Sequence, residues 1–127
     1  MQVLLDLHGA PGSQNGFDNS GRRGEIHWHE VGNPERTVRI LVKVAEMVKS
    51  WADEGAFRWD TLLGLELVNE PAGFYDYIWN TCRDGFYQGA YAAIKTVFGP
   101  NPQPLVLIQQ AFRAYSDFDG FMPDNVR

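Results

Sequence analysis

The chain has 127 residues, about one ordinary domain, with 44% hydrophobic and 21% charged residues, a globular rather than a disordered balance. A formal net charge of -5, with no run of Lys and Arg, argues against a polyanion-binding surface and so against nucleic acid as a partner. No apolar stretch approaches the ~20 residues of a membrane span, and the single Cys82 cannot form an internal disulfide, which suits a reducing compartment and a piece of a secreted protein equally well.

The start, "MQVLLDLHG", lacks a basic n-region and a cleavage pattern, so it does not read as a signal peptide. It begins inside an apolar run, Val3 to His8, that predicts a buried strand. A polar, glycine-rich loop from Gly9 to Asn33 follows, and loops of that length are uncommon unless they are functional. Asn33 as N-cap and Pro34 at the first helical position predict a helix. Leu41, Val44, Ala45, Val48 and Ala52 give it one apolar face, running to about Trp51 with Gly55 closing the region. A second strand, Leu62 to Val68, ends in Asn69-Glu70-Pro71.

A second helix is expected from Tyr75 to Val97, with Tyr87, Tyr91, Ile94 and Phe98 on one face and Gly99-Pro100 as its stop. Leu105 to Ile108 is a third strand, leading into Gln109-Gln110-Ala111-Phe112; the tail after it shows no period. Near-continuous apolar strands joined by helices imply a parallel sheet of the α/β class. Chemistry in such sheets collects at the carboxyl ends of the strands. Those ends carry His8, Asn69 with Glu70, and Gln109 with Gln110.

Glu66 and Glu70 invite reading as an acid/base pair. If both lie on one extended strand they share a side but stand ~13 Å apart along the backbone, beyond the ~5 to 9.5 Å that glycosidase carboxylates require. Glu66 then reads as a structural acid bonded to a polar neighbour such as an arginine.

Three stretches, "DLHGAPGSQNGFDNSG" (Asp6 to Gly21), "LGLELVNEP" (Leu63 to Pro71) and "LVLIQQAF" (Leu105 to Phe112), resemble the fungal exo-β-1,3-glucanases of glycoside hydrolase family 5. The first is long and specific to that subgroup, whereas Asn-Glu-Pro is shared more widely. The resemblance covers nearly the whole chain. It implies a partial TIM (β/α)8 barrel, with about three parallel strands and two main helices corresponding to strands three to five. A complete barrel takes ~250 residues, so the remainder of the barrel would be missing and residues 1–127 would be a fragment of a catalytic domain.

The resemblance further implies that Glu70 is the proton donor (acid/base) and that the nucleophile, a glutamate of the seventh strand, is not in the chain. His8 would line the pocket at the reacting sugar, and Asn69 would bond its 2-hydroxyl. Asn19 and Asp18 match a loop near the cleavage point, and Phe17 matches one member of an aromatic pair that clamps the acceptor sugar. Where many relatives read His-Asp-Ala-Phe, this chain reads Gln109-Gln110-Ala111-Phe112, so Gln110 would bond hydroxyls without the charge of an aspartate.

The implied partner is a β-glucan or oligosaccharide substrate, with no cofactor and no metal, and the implied location is extracellular or cell wall. In a retaining mechanism one carboxylic acid protonates the glycosidic oxygen while a second attacks the anomeric carbon. Pro71 would restrain the preceding residues and so help aim the acid. The isolated chain, lacking the nucleophile, is expected to be inactive.

Other motifs read as bland. "EIHWHE" (Glu25 to Glu30) matches no strong zinc spacing and reads as a solvated loop. "GAPGSQNG" lacks the pattern of a nucleotide cradle. Trp28 reads as a surface anchor. The competing reading is a noncatalytic carbohydrate-binding remnant of the same fold; an unrelated doubly wound binding domain fits the loop motif poorly.

Overall fold

The computed structural model describes residues 1–100 and 104–122; residues 123–127, the end of the tail that shows no period, lie outside them. Strands β1 (Val3–Asp6), β2 (Leu62–Glu66) and β3 (Leu105–Leu107) form one parallel sheet in the order β1-β2-β3. Helix α1 (Asn33–Asp53) connects the first two, and α2 (Asp76–Thr81) with α3 (Tyr87–Phe98) connects the second and third.

Helix α1 packs against α3. One sheet face is covered: Leu65, central on it, is buried, in the same core cluster as Leu41, Ala45 and Val48 of α1 and Ala90, Ile94 and Phe98 of α3. The opposite face holds the registered rows Leu4–Gly64–Leu105 and Asp6–Glu66–Leu107, and there Leu4 and Leu105 stay exposed. Consecutive strand order with both helices packed together on one face is the winding of a (β/α)8 barrel wall, whereas a doubly wound sheet places helices on both faces. The chain is thus an α/β unit with the architecture of a partial barrel. No helix among the described residues is long and apolar enough to cross a membrane.

The elements differ from the sequence reading in instructive ways. β2 stops at Glu66 rather than Val68, and β1 at Asp6 rather than His8. Ladder-type bonds continue past the ends, from Leu67 N to Leu107 O at 3.0 Å and from Asn69 N to Leu7 O at 3.1 Å. The chain then turns at Glu70, whose φ of 44° is left-handed. β3 likewise ends at Leu107. Helix α1 is capped by Gly32 rather than Asn33: the Asn33 amide is diverted to His27 O at 2.8 Å, leaving the positive φ of the cap to glycine.

The expected helix from Tyr75 to Val97 is interrupted by a π-turn, Cys82–Phe86. Such a bulge inserts one residue into the helical repeat. Cys82, Phe86 and Tyr87 all end up in the core.

Trp28 is the clearest reversal. It is no surface anchor but is fully buried, with its indole N–H donating to Thr37 Oγ1 at 3.0 Å and its ring edge-on to Phe86 at 4.9 Å. An aromatic in a polar stretch found the core because the long loop folds back over the start of α1, which no local pattern encodes. His27, beside it, is held between Glu30 and Glu25 at 2.7 and 3.2 Å. Both carboxylates, Glu30 foremost, raise its pKa above the usual histidine value.

Candidate active site at the carboxyl ends of the strands

The long loop is fixed by one buried amide. Gln14 has no exposed surface. Its Oε1 accepts Ala10 N–H at 3.0 Å, and its Nε2 donates to His8 O at 3.0 Å and Asn69 O at 2.8 Å. Its backbone carbonyl accepts Ala72 N–H at 3.0 Å. A single side chain therefore ties the segment after β1 to the segment after β2, satisfying carbonyls that the ended strands no longer pair. Asn15 continues the seam, donating to Glu70 O at 3.0 Å while its own Oδ1 accepts Phe17 N–H at 2.8 Å.

Glu70 projects from this seam. An L-residue in the left-handed region costs about 1–2 kcal/mol, and such outliers persist only where their surroundings over-determine them. The amides of Gln14 and Asn15 bond the carbonyls of Asn69 and Glu70 and hold the turn. Its carboxylate Oε2 accepts Asn19 Nδ2 at 3.0 Å. Glu70 is partly buried, so one bonded oxygen still leaves the group reachable from solvent.

A second acidic group lies one register step inside. Asp6 and Glu66 are Cα partners on the helix-free face, and His8 Nδ1 meets Asp6 Oδ2 at 2.6 Å. An Nδ1–H donated to the carboxylate leaves Nε2 as the outward nitrogen. Partial burial, then the Asp6 carboxylate, push Glu66 above the usual carboxylate range; His8 opposes this, and Glu70 adds to it. The sequence expectation of an arginine on Glu66 is wrong: its charged neighbours are those three groups, and no arginine among the described residues bonds it. The extended-strand estimate of the Glu66–Glu70 separation also loses its premise, because the strand ends at Glu66 and the chain turns at Glu70.

The remaining expected residues are placed unevenly. Asn69 is half-buried and gives its carbonyl to Gln14. Phe17 is exposed, with its ring edge-on to Phe112 at 6.5 Å. Asp18 opens a short 3-10 turn, Asp18–Ser20, and its carboxylate is joined to none of the others. Gln110 is exposed and donates to Arg113 O at 3.2 Å.

Sequence reasoning missed Gln14, Asn15, Phe112 and Arg113. Arg113 reaches back to Gly73 O at 2.6 Å and to Asp76 at 2.6 Å while lying over the Trp79 ring. It clamps the β3 exit onto the β2 exit. There a side chain on Gly73 would collide with Ala111, so only glycine permits the approach. The first motif contains Gln14 and Asn15, but nothing local distinguishes a buried, bridging amide from a solvated one. A hollow lined by Gln2, Arg58, Trp59, Asp60 and Leu63 sits at the amino ends of the strands, away from these groups.

A carboxylate on a strained turn at the carboxyl end of the central strand, braced by amides from the preceding loop, is an arrangement typical of barrel enzymes. Comparison with known proteins narrows the class. No family model matches the chain. Over 96% of its length it is 38% identical to glucan 1,3-beta-glucosidase of Blumeria graminis and 37% identical to that of Pichia angusta. Over 98% it is 34% identical to glucan 1,3-beta-glucosidase I/II of Saccharomyces cerevisiae. By sequence the chain is therefore related to the fungal glucan 1,3-beta-glucosidases, as a counterpart of one segment of them: it spans about a quarter of their length, 26% in each of these three.

Proposed function

We propose that this chain forms part of the catalytic barrel of a β-glucan hydrolase acting on 1,3-linkages by a retaining mechanism, and that it contributes the proton donor, Glu70. The observation that carries the reading is the placement of Glu70. It sits at the tip of the central strand, in a left-handed turn that the amides of Gln14 and Asn15 hold, with its carboxylate on the Asn19 amide. The relatives' names supply the substrate class.

In this reading the Glu70 carboxyl protonates the glycosidic oxygen as the bond to the leaving sugar breaks. A second carboxylate, from barrel strands outside this chain and ~5 Å away, attacks the anomeric carbon. Glu70, now ionised, then takes a proton from the water that releases the sugar. Asn19 donates an N–H to one carboxyl oxygen of Glu70 and so fixes the direction in which the group points. His8, held by Asp6 with Nε2 outward, and Asn69 offer hydrogen bonds to hydroxyls of the reacting sugar. Phe17 supplies a ring against the acceptor sugar, and Gln110 an uncharged amide farther out. The exposed face carrying Leu4 and Leu105 is the one that further barrel strands would enclose. A polymeric β-glucan substrate places the protein outside the cell or in the wall.

The test is a chimera in which this chain replaces the matching segment of the Blumeria graminis relative. Laminarin hydrolysis by the chimera, abolished in its Glu70→Gln form while laminarin binding persists, supports the reading. A folded chimera that turns laminarin over equally well with Glu70→Gln refutes it. Binding without turnover in the unsubstituted chimera would favour the noncatalytic remnant instead.

A further inference from the structure

One row of side chains remains outside that scheme. From Phe112, beside Phe17, aromatic rings continue along the carboxyl-end surface: Phe74 lies 5.6 Å from Phe112, Tyr75 4.8 Å from Phe74, and Tyr77 5.4 Å from Tyr75. The last two rings are nearly parallel, 13° apart. All four are between 45% and 49% exposed. Aromatic side chains bury about 150–250 Å² each when they can, so four in contact with one another yet half in water form the kind of contiguous exposed patch that marks an interaction site.

We propose that Phe74, Tyr75 and Tyr77 form a distal platform on which a longer β-glucan chain lies as it runs away from Glu70. The proposal rests on the glucan reading of the Glu70 site and adds the length of substrate that site prefers. Three observations favour a sugar chain as the occupant. First, the row is continuous with the candidate site, since Phe112 touches both Phe17 and Phe74. Second, its composition is aromatic with no aliphatic member, and its far end is tyrosine. The rings offer flat apolar faces to the C–H faces of pyranose units and phenolic hydroxyls to their rims. Each ring-to-ring step is on the scale of one sugar unit. Third, the platform is preorganised, so ordering it on binding costs little.

That third point is visible in the backbone. Phe112 and Ala111 hold φ values of 57° and 56°. Arg113 anchors the Phe112 side to Gly73 O, and Tyr75 N–H is fixed to Ala72 O at 2.9 Å just before α2 begins. The opposite end of the row closes on His29, whose ring lies 4.5 Å from Tyr77. The chain's net charge of -5 makes an anionic membrane surface an unfavourable occupant of the same rings.

The experiment compares laminaribiose with laminarihexaose by titration calorimetry on the folded chimera described above, its Tyr75→Ala/Tyr77→Ala double variant, and its Tyr77→Phe variant. The expected result is tighter binding of the hexaose than of the biose by the unsubstituted chimera. The double variant should lose about tenfold in hexaose affinity with the biose unchanged, and Tyr77→Phe, which keeps the ring face but loses the hydroxyl, should lose clearly less than the double variant. Equal affinity for both sugars, or a double variant that binds the hexaose as the parent does, overturns the platform while leaving the glucan site standing. Failure of both sugars to bind overturns the site reading and the platform together. A double variant that changes only the oligomeric state in light scattering, with sugar affinity intact, assigns the row to a protein contact and also overturns the proposal.

Discussion

Replacing Gln14 by leucine tests whether one amide organises the candidate site. The substitution keeps the approximate volume and removes every polar atom. It strands the Ala10 N–H, which is buried at its bond to Oε1, and the carbonyls of His8 and Asn69, which are partly buried. A buried donor left unsatisfied costs about 1–3 kcal/mol, and each partly exposed bond lost about 0.5–1.5 kcal/mol. The expected destabilisation is therefore roughly 2–6 kcal/mol, a large part of the ~5–15 kcal/mol of a typical domain.

With a urea slope of about 2 kcal/mol/M, the unfolding midpoint should fall by about 1–3 M. Gln110→Leu is the matched control. The chemistry is the same, but Gln110 is exposed with one bond to Arg113 O, so its change should stay within about 0.5 kcal/mol. Equal midpoints for the two variants would refute the view that Gln14 locks the strand exits together.

Three further outcomes follow from particular groups. Glu70→Gly and Glu70→Ala both delete the contact with Asn19, so the difference between them isolates the left-handed backbone; the glycine variant should be the more stable by about 1 kcal/mol in urea unfolding, and equal midpoints would remove the strain from the account. Glu66 has a native pKa raised above its ordinary 4.5, chiefly by burial and Asp6, so the folded state binds more protons and stability falls as pH rises from about 4.5 through the raised value. Glu66→Gln should therefore gain on the parent as pH increases across that window, and a constant difference from pH 4 to 8 would contradict the assignment. Cys82 is buried and its thiol is pushed up to about 12 by that burial; a disulfide reagent at pH 8 should label it only in denaturant, and labelling of the native protein at the unfolded rate would show that the π-turn opens readily.

Much of the frame was legible in the residues. Val3–His8, Leu62–Val68 and Leu105–Ile108 are apolar runs that read as strands of a parallel sheet, and each holds one, although only the central strand is mostly buried while β1 and β3 stay exposed or half-buried. The 3.6-residue spacing from Leu41 to Ala52 predicted the face that α1 buries. The motif resemblance singled out Glu70, Asn19 and Phe17, and the first two of these meet in the structure. These features are local or are carried by contiguous motifs, so the sequence holds them directly.

What the fold alone decided lies in contacts between distant residues. Gln14 bonds Asn69 across 55 positions and Asn15 reaches Glu70 across the same span, so neither amide could be told from its solvated neighbours beforehand. The end of β2 at Glu66, the left-handed turn at Glu70 and the contact of Phe74 with Phe112 likewise follow from how three strand exits crowd together. Trp28 was misjudged for the same reason: its burial depends on a loop returning over a helix. Periodicity records which side of an element faces inward, whereas which loop atoms satisfy which stranded backbone groups is settled only once the strands have been brought side by side.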